Sequence, residues 1–141
     1  MTGYPLTVYG KGGQTRGYIS LDDTAETLAL AVEKPAEQGE FRVINMLVET
    51  VSVRQMAEKV KEAGSKIGLE VEVMTVPPPR VEALEHYYKP KVERLFKELG
   101  LKPKYTVDKA LPEDLDALMK VKDRIMAKKD KFLPKELAKK G

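Results

Sequence analysis

Gly10-Lys11-Gly12-Gly13-Gln14-Thr15-Arg16-Gly17 is the stretch whose surroundings decide the fold. It follows Pro5-Leu6-Thr7-Val8-Tyr9, which reads as a short strand, and it runs into Gly17-Tyr18-Ile19-Ser20, a second extended segment. A dinucleotide-binding half needs G-x-G-x-x-G directly between a strand and a helix, so that backbone N–H groups and the helix amino end receive a pyrophosphate. Here the glycines lead to extended chain instead. They therefore predict a turn that lets the backbone approach a ligand.

Outward from that turn, strands and helices alternate. Asp22 or Asp23 is the expected cap of a first helix, with Ala25, Leu28, Ala29 and Val32 as its apolar stripe and Pro35 beyond its end. Phe41-Arg42-Val43-Ile44-Asn45-Met46 reads as a largely buried strand. Ser52 and Gln55 have capping-box spacing, opening a helix that buries Val53, Met56, Ala57, Val60 and Ile67 and ends at Gly68. Val71, Val73 and Thr75 alternate with Glu70, Glu72 and Met74 in a strand stopped by Pro77-Pro78-Pro79. Pro90 suits the first turn of a third helix carrying Val92, Leu95, Phe96 and Leu99, and Pro112 the opening of a last one carrying Leu115, Leu118, Met119, Ile125 and Met126. The expected class is α/β, with an α+β-like small substrate-binding domain and no amino-terminal Rossmann half. We expect residues 1–119 to form the binding domain and residues 120–141 a Lys-rich helix or tail.

Composition removes whole classes of chemistry. The chain has 141 residues, 42% apolar and 33% charged, enough for one core. With no cysteine, a disulfide scaffold, a zinc-thiolate site and a cysteine nucleophile are all excluded. One histidine, His86, leaves a His-rich metal site without ligands. No apolar run approaches the roughly 20 residues of a membrane-spanning helix, and no secretory signal is present, so a cytoplasmic location is expected. The net charge of +3 is unevenly divided: from Lys120 onward nine basic residues meet three acidic ones. That pattern fits a solvated terminal helix, and it also allows phosphate contacts with nucleic acid.

Few side chains remain for binding chemistry. Arg16, flanked by glycine, offers a planar five-donor fork suited to phosphate oxygens. Three prolines stiffen the approach to Arg80, and Glu82 two residues later is a fitting acceptor for a ribose hydroxyl. His86 has the intrinsic pKa of an acid, base or donor. Tyr87 and Lys91 have Tyr-x-x-x-Lys spacing, but Pro90 lies inside the helical turn such a catalytic pair requires.

Pro5 through Ile19 followed by Asp22-Asp23-Thr24, then Glu40 through Asn45 ahead of the Ser52 helix, resemble the substrate-binding part of extended short-chain dehydrogenase/reductases acting on nucleotide sugars. Pro79-Arg80-Val81-Glu82-Ala83-Leu84-Glu85-His86-Tyr87-Tyr88 narrows the resemblance to the UDP-sulfoquinovose synthases, as does Gly17, where most of the superfamily has aspartate. The resemblance spans residues 4–108. It implies a module that holds UDP-glucose or UDP-sulfoquinovose while an amino-terminal half carries NAD and the catalytic threonine, tyrosine and lysine. Residue by residue it implies Thr7 and Tyr9 along the uracil and ribose, Arg16 and Arg80 at the diphosphate, Glu82 near the ribose and His86 in a motif of the subfamily. Asn45 is expected to tie down a neighbouring loop. The family's reaction oxidises the glucose 4-hydroxyl with NAD, eliminates water, adds sulfite at C6 and reduces C4 again.

By this reading the chain alone carries no catalytic, NAD-binding or metal site and is inactive by itself. It is expected to be a fragment, a split product or half of a two-chain assembly, able to form a homodimer and without a membrane partner. Two other readings share some features. A nucleotide-sugar 4-epimerase or dehydratase fragment would keep the arginines without the His-Tyr-Tyr segment. A non-catalytic module would use its basic tail on nucleic acid or acidic partners.

Overall fold

The computed structural model describes residues 2–78 and 88–133. Arg80, Glu82 and His86 lie outside the described residues, as does the end of the Lys-rich tail. The element order is β1 (Leu6–Tyr9), β2 (Thr15–Tyr18), α1 (Leu21–Glu33), β3 (Glu49–Ser52), α2 (Val53–Lys66), β4 (Val73–Val76), α3 (Glu93–Lys97), α4 (Val107–Lys120) and α5 (Lys122–Met126), then a 3-10 turn at Lys129–Phe132. Two small sheets result. β1 pairs with β4 in parallel, from Leu6 opposite Val73 to Tyr9 opposite Val76, and β2 pairs with β3 antiparallel, from Thr15 opposite Ser52 to Tyr18 opposite Glu49. The fold is thus a small mixed α/β unit.

The Ser52 capping box forms in full. Its hydroxyl accepts the Gln55 N–H at 3.1 Å, and the Gln55 side chain accepts the Ser52 N–H at 2.7 Å. Both bonds satisfy N–H groups that a helix start otherwise leaves unpaired. Ala57, Ala63 and Gly64 are the residues α2 buries, while Ile67 stays 45% exposed at its end. Small side chains let α2 lie close to its neighbours: a Cβ on Gly64 would come within 2.8 Å of Val71.

The remaining core gathers below α3. Leu95, Leu99 and Leu101 are buried, with Ile19, Leu30, Ala31, Ile44 and Phe96 packed against them. α3 is shorter than the expected helix because residues 88–92 are not helical, and Gly100, at φ 80°, ends it. The helical turn needed for a Tyr87/Lys91 pair is therefore absent on the Lys91 side. α4 begins five residues before Pro112, whose missing N–H leaves the Asp108 carbonyl without its helical donor.

Three expectations are corrected by the structure. Ser20, not Asp22 or Asp23, caps α1, accepting the Asp23 N–H at 3.0 Å. Moreover, the Ala25, Leu28, Ala29, Val32 stripe does not face the core: all four are exposed, Leu28 by 58% and Val32 by 80%. The side that α1 buries holds Asp23 and Thr27. Likewise, residues 41–46 form no strand, and Phe41 is 91% exposed. The third strand comes later, at Glu49–Ser52.

Candidate functional site

The glycine turn is where the two sheets and α2 meet. After β1, the Gly10 N–H donates to the Val76 carbonyl at 2.9 Å, extending the parallel ladder by one residue. Gly12, at φ 68°, is buried, and a Cβ there would lie 2.7 Å from Val8 and 3.1 Å from Arg54. The close approach this glycine permits is therefore to a core valine and to the start of α2. Val53 and Arg54 donate their N–H groups to the carbonyls of Gln14 and Gly12 at 3.0 and 2.9 Å. With the Gln55 N–H on Ser52, the opening N–H groups of α2 are spent within the chain. No helix amino end is left facing the turn, so the described residues do not provide a dinucleotide cradle.

Thr7 and Tyr9 sit two apart on β1, so they share the side opposite buried Val8. Arg16 lies on β2, opposite Val51, and is exposed. Its Nη1 donates to the adjacent Thr15 carbonyl at 2.9 Å. Among the described residues Arg16 has no carboxylate partner, which leaves most of its fork to solvent. The bare backbone of Gly17 explains the absence of aspartate there: a Cβ would press within 3.0 Å of Leu47.

The chain that leads to Arg80 starts at the same turn. The β1–β4 pairing carries Pro77 and Pro78 past the end of β1, and Pro78 Cγ stands 3.9 Å from the Cβ position of Gly10. Asn45 does what was expected of it, its Nδ2 donating to the Lys91 carbonyl at 2.8 Å across 46 residues. Arg54 was missed by sequence reasoning. Its guanidinium reaches the Lys11 carbonyl at 3.3 Å and the Thr75 hydroxyl at 3.2 Å, joining the glycine turn, α2 and β4. An arginine two places after a capping serine is the only local signal it gives.

A largely apolar crevice of about 270 Å³ opens elsewhere, between the end of β2 and the starts of α1 and α4, with Tyr18, Leu21, Met56, Tyr105 and Leu111 in its wall. Among the described residues, none of Thr7, Tyr9 and Arg16 lines it. At its mouth the Tyr105 hydroxyl bonds to Glu113, and that carboxylate holds the tyrosine pKa above its ordinary value of 10.0. Because the folded pKa is raised, the contact stabilises the fold below pH 10 and is lost as pH rises through the folded value. Ultraviolet titration should show this phenolate, identified by its loss in Tyr105→Phe, forming at lower pH in Glu113→Gln. An unchanged midpoint would mean that Glu113 does not hold it.

No protein-family model matches the chain. It is 52% identical to the chloroplastic UDP-sulfoquinovose synthase of Spinacia oleracea over 126 residues, which are 89% of this chain and 26% of that protein. It is 49% identical to the UDP-sulfoquinovose synthase of Sulfolobus acidocaldarius over 137 residues, 94% of this chain and 34% of that protein. Among solved structures it aligns with the UDP-glucuronic acid 4-epimerase of Bacillus cereus in complex with UDP-glucuronic acid and NAD, at a TM-score of 0.66 and 19% identity, covering 83% of this chain and 36% of that one. The chain is thus a partial homologue of UDP-sulfoquinovose synthase, spanning a quarter to a third of the length of the curated relatives it matches, with the fold of part of an NAD-dependent epimerase.

Proposed function

We propose that this chain is the substrate-binding portion of a UDP-sulfoquinovose synthase-like enzyme, one that converts UDP-glucose and sulfite to UDP-sulfoquinovose with NAD. Arg16 and Arg80 bind the diphosphate, Thr7 and Tyr9 line the uracil and ribose, and Glu82 accepts from a ribose hydroxyl. His86 belongs to the same binding segment. NAD and the reacting groups belong to a portion outside these 141 residues.

The single structural observation that supports this reading is the contact of Pro78 with the Gly10 turn. Arg16 follows that turn by six residues and Arg80 follows Pro78 by two, so the parallel pairing of β1 with β4 starts both arginine-bearing segments from one place. Charge-assisted bonds to a diphosphate contribute about 1.5–3 kcal/mol each, which corresponds to roughly 10- to 150-fold in affinity. In a complete enzyme, contacts so far from the reacting carbon serve to hold the sugar for hydride transfer.

Isothermal titration with UDP-glucose tests the reading. The expected result is binding that Arg16→Ala weakens by roughly 10- to 150-fold, while UMP, lacking the second phosphate, responds much less to the substitution. Heat no greater than that of UMP at millimolar UDP-glucose would overturn it. No observation on the structure favours the nucleic-acid reading over this one.

A further inference from the structure

The two small sheets have no strand in common, and the side chain of Arg54 bridges them. β1 and β4 form one sheet, β2 and β3 the other, and α2 starts directly at the end of β3. Arg16 on β2 stands opposite Val51 on β3, three residues before Arg54. On the other side, Arg54 Nη2 donates to the hydroxyl of Thr75, an exposed residue of β4, at 3.2 Å. Among the described residues this is the side-chain hydrogen bond that joins α2 to β4.

The same guanidinium closes a gap in the glycine turn. Backbone bonds hold Gly10 to Val76 of β4, and Gly12 and Gln14 to the first residues of α2. The Lys11 carbonyl between them has no backbone donor among the described residues. Arg54 Nε supplies one at 3.3 Å. A guanidinium is flat and rigid, so gripping the turn with one nitrogen and Thr75 with another fixes the distance between turn and strand. Its third nitrogen, Nη1, stands 3.9 Å from Glu58, a long and solvated contact that adds little. A lysine, with one ammonium on a flexible stem, offers no such fixed fork.

We infer that Arg54 is a positioning residue for the nucleotide site: it holds the turn leading to Arg16 at a set distance from β4, and through Arg16 it sets the preference for a diphosphate over a monophosphate. The inference rests on the proposed function for the identity of the ligand. Arg16 follows Lys11 by five residues, and its strand pairs with the one that runs into α2. Arg54 therefore acts on the Arg16 segment from both ends. A donor already in place when the ligand arrives contributes more than one that must first be ordered. A monophosphate offers one anionic group and tolerates a displaced fork, whereas a diphosphate offers two and depends on where the fork stands. Thr7 and Tyr9 lie on β1, whose backbone pairing with β4 does not involve Arg54, so their contacts are left as they are.

Isothermal titration of the whole chain with UDP-glucose and with UMP is the test. Arg54→Met and Thr75→Val should each weaken UDP-glucose by about 5-fold, the effect of having to order a side chain on binding, and leave UMP within about 2-fold. Thr75→Ser keeps the hydroxyl and should bind like the parent. Because Arg54 acts through Arg16, adding Arg54→Met to Arg16→Ala should cause no further loss. Arg54 and Thr75 are both exposed, so melting temperatures should hardly move. Equal losses for the two ligands, additive losses in the double variant, or an unchanged affinity for UDP-glucose would overturn the inference. Amide exchange without ligand reads the clamp apart from the proposed function. Residues 11–16 should exchange about 5-fold faster in Arg54→Met and Thr75→Val but not in Thr75→Ser, and unchanged exchange in the first two would also overturn it. A parent chain that ignores UDP-glucose yet shows these exchange differences overturns the identity of the ligand and leaves the clamp standing.

Discussion

Asp23→Ala should be among the most damaging single substitutions in this chain. The carboxylate is fully buried, and its two oxygens accept the N–H groups of Lys104 and Tyr105 at 3.0 and 3.3 Å, 81 and 82 residues away. It therefore joins α1 to the segment that enters α4. Truncation removes both acceptors at once and leaves the two backbone donors without their partner in a buried place. At the cost of a hydrogen bond to a charged group, the expected loss is about 3–4 kcal/mol, which lowers the melting temperature by roughly 10 °C for a domain of this size. Ser20→Ala, which removes only the cap of the same helix, should cost about 1 kcal/mol. Urea unfolding followed by circular dichroism distinguishes the two. Equal losses would mean that Asp23 contributes no more than helix capping and that the tie to Lys104 and Tyr105 is idle.

The same residue shows where sequence reading reached its limit. Short-range chemistry was legible. Ser52 and Gln55 needed only each other and three residues of spacing to declare a helix start, and Pro77-Pro78 stopped β4 as the fixed proline geometry requires. Asp23 looked like a cap because aspartate in a first helical turn usually satisfies local N–H groups. Its real donors come from the other end of the domain, and no local pattern reports them.

The errors at α1 and at residues 41–46 have a different cause. Period analysis found the apolar stripe of α1 and the apolar run at Phe41 correctly, but it assigned both to the core of this chain. Periodicity reports that a face needs covering and is silent on what covers it. The interior side of α1 instead holds Thr27, whose hydroxyl bonds to the Asp23 carbonyl at 2.7 Å, beside Leu30 and Ala31, which pack against the Leu95 cluster. In the candidate site, the exposure of Arg16 was legible from its glycine flanks. Arg54 was not, because the partners that fix it, the Lys11 carbonyl and Thr75, become its neighbours only when β1 and β4 pair.

Gly12→Ala separates two accounts of the glycine turn. If the glycine serves the approach of a ligand, the substitution should spare the unliganded fold and weaken only binding. The structure argues otherwise. At φ 68° a side chain costs about 1–2 kcal/mol in backbone strain alone. The new Cβ would also lie 2.7 Å from Val8 Cγ1 and 3.1 Å from the Arg54 backbone, and Val8, 1% exposed, has nowhere to retreat. Overpacking of this kind adds about 1–3 kcal/mol, so the expected total is about 3 kcal/mol without any ligand present. Gly39→Ala is the control, since Gly39 has a similar φ of 83° but no atom within 4 Å of its Cβ position, and it should show the backbone cost only. If chemical denaturation finds the two variants equally destabilised, the contact with Val8 and Arg54 is not what requires glycine. A difference of about 2 kcal/mol between them instead makes Gly12 the residue that seats the turn on α2, and with it the origin of both arginine-bearing segments.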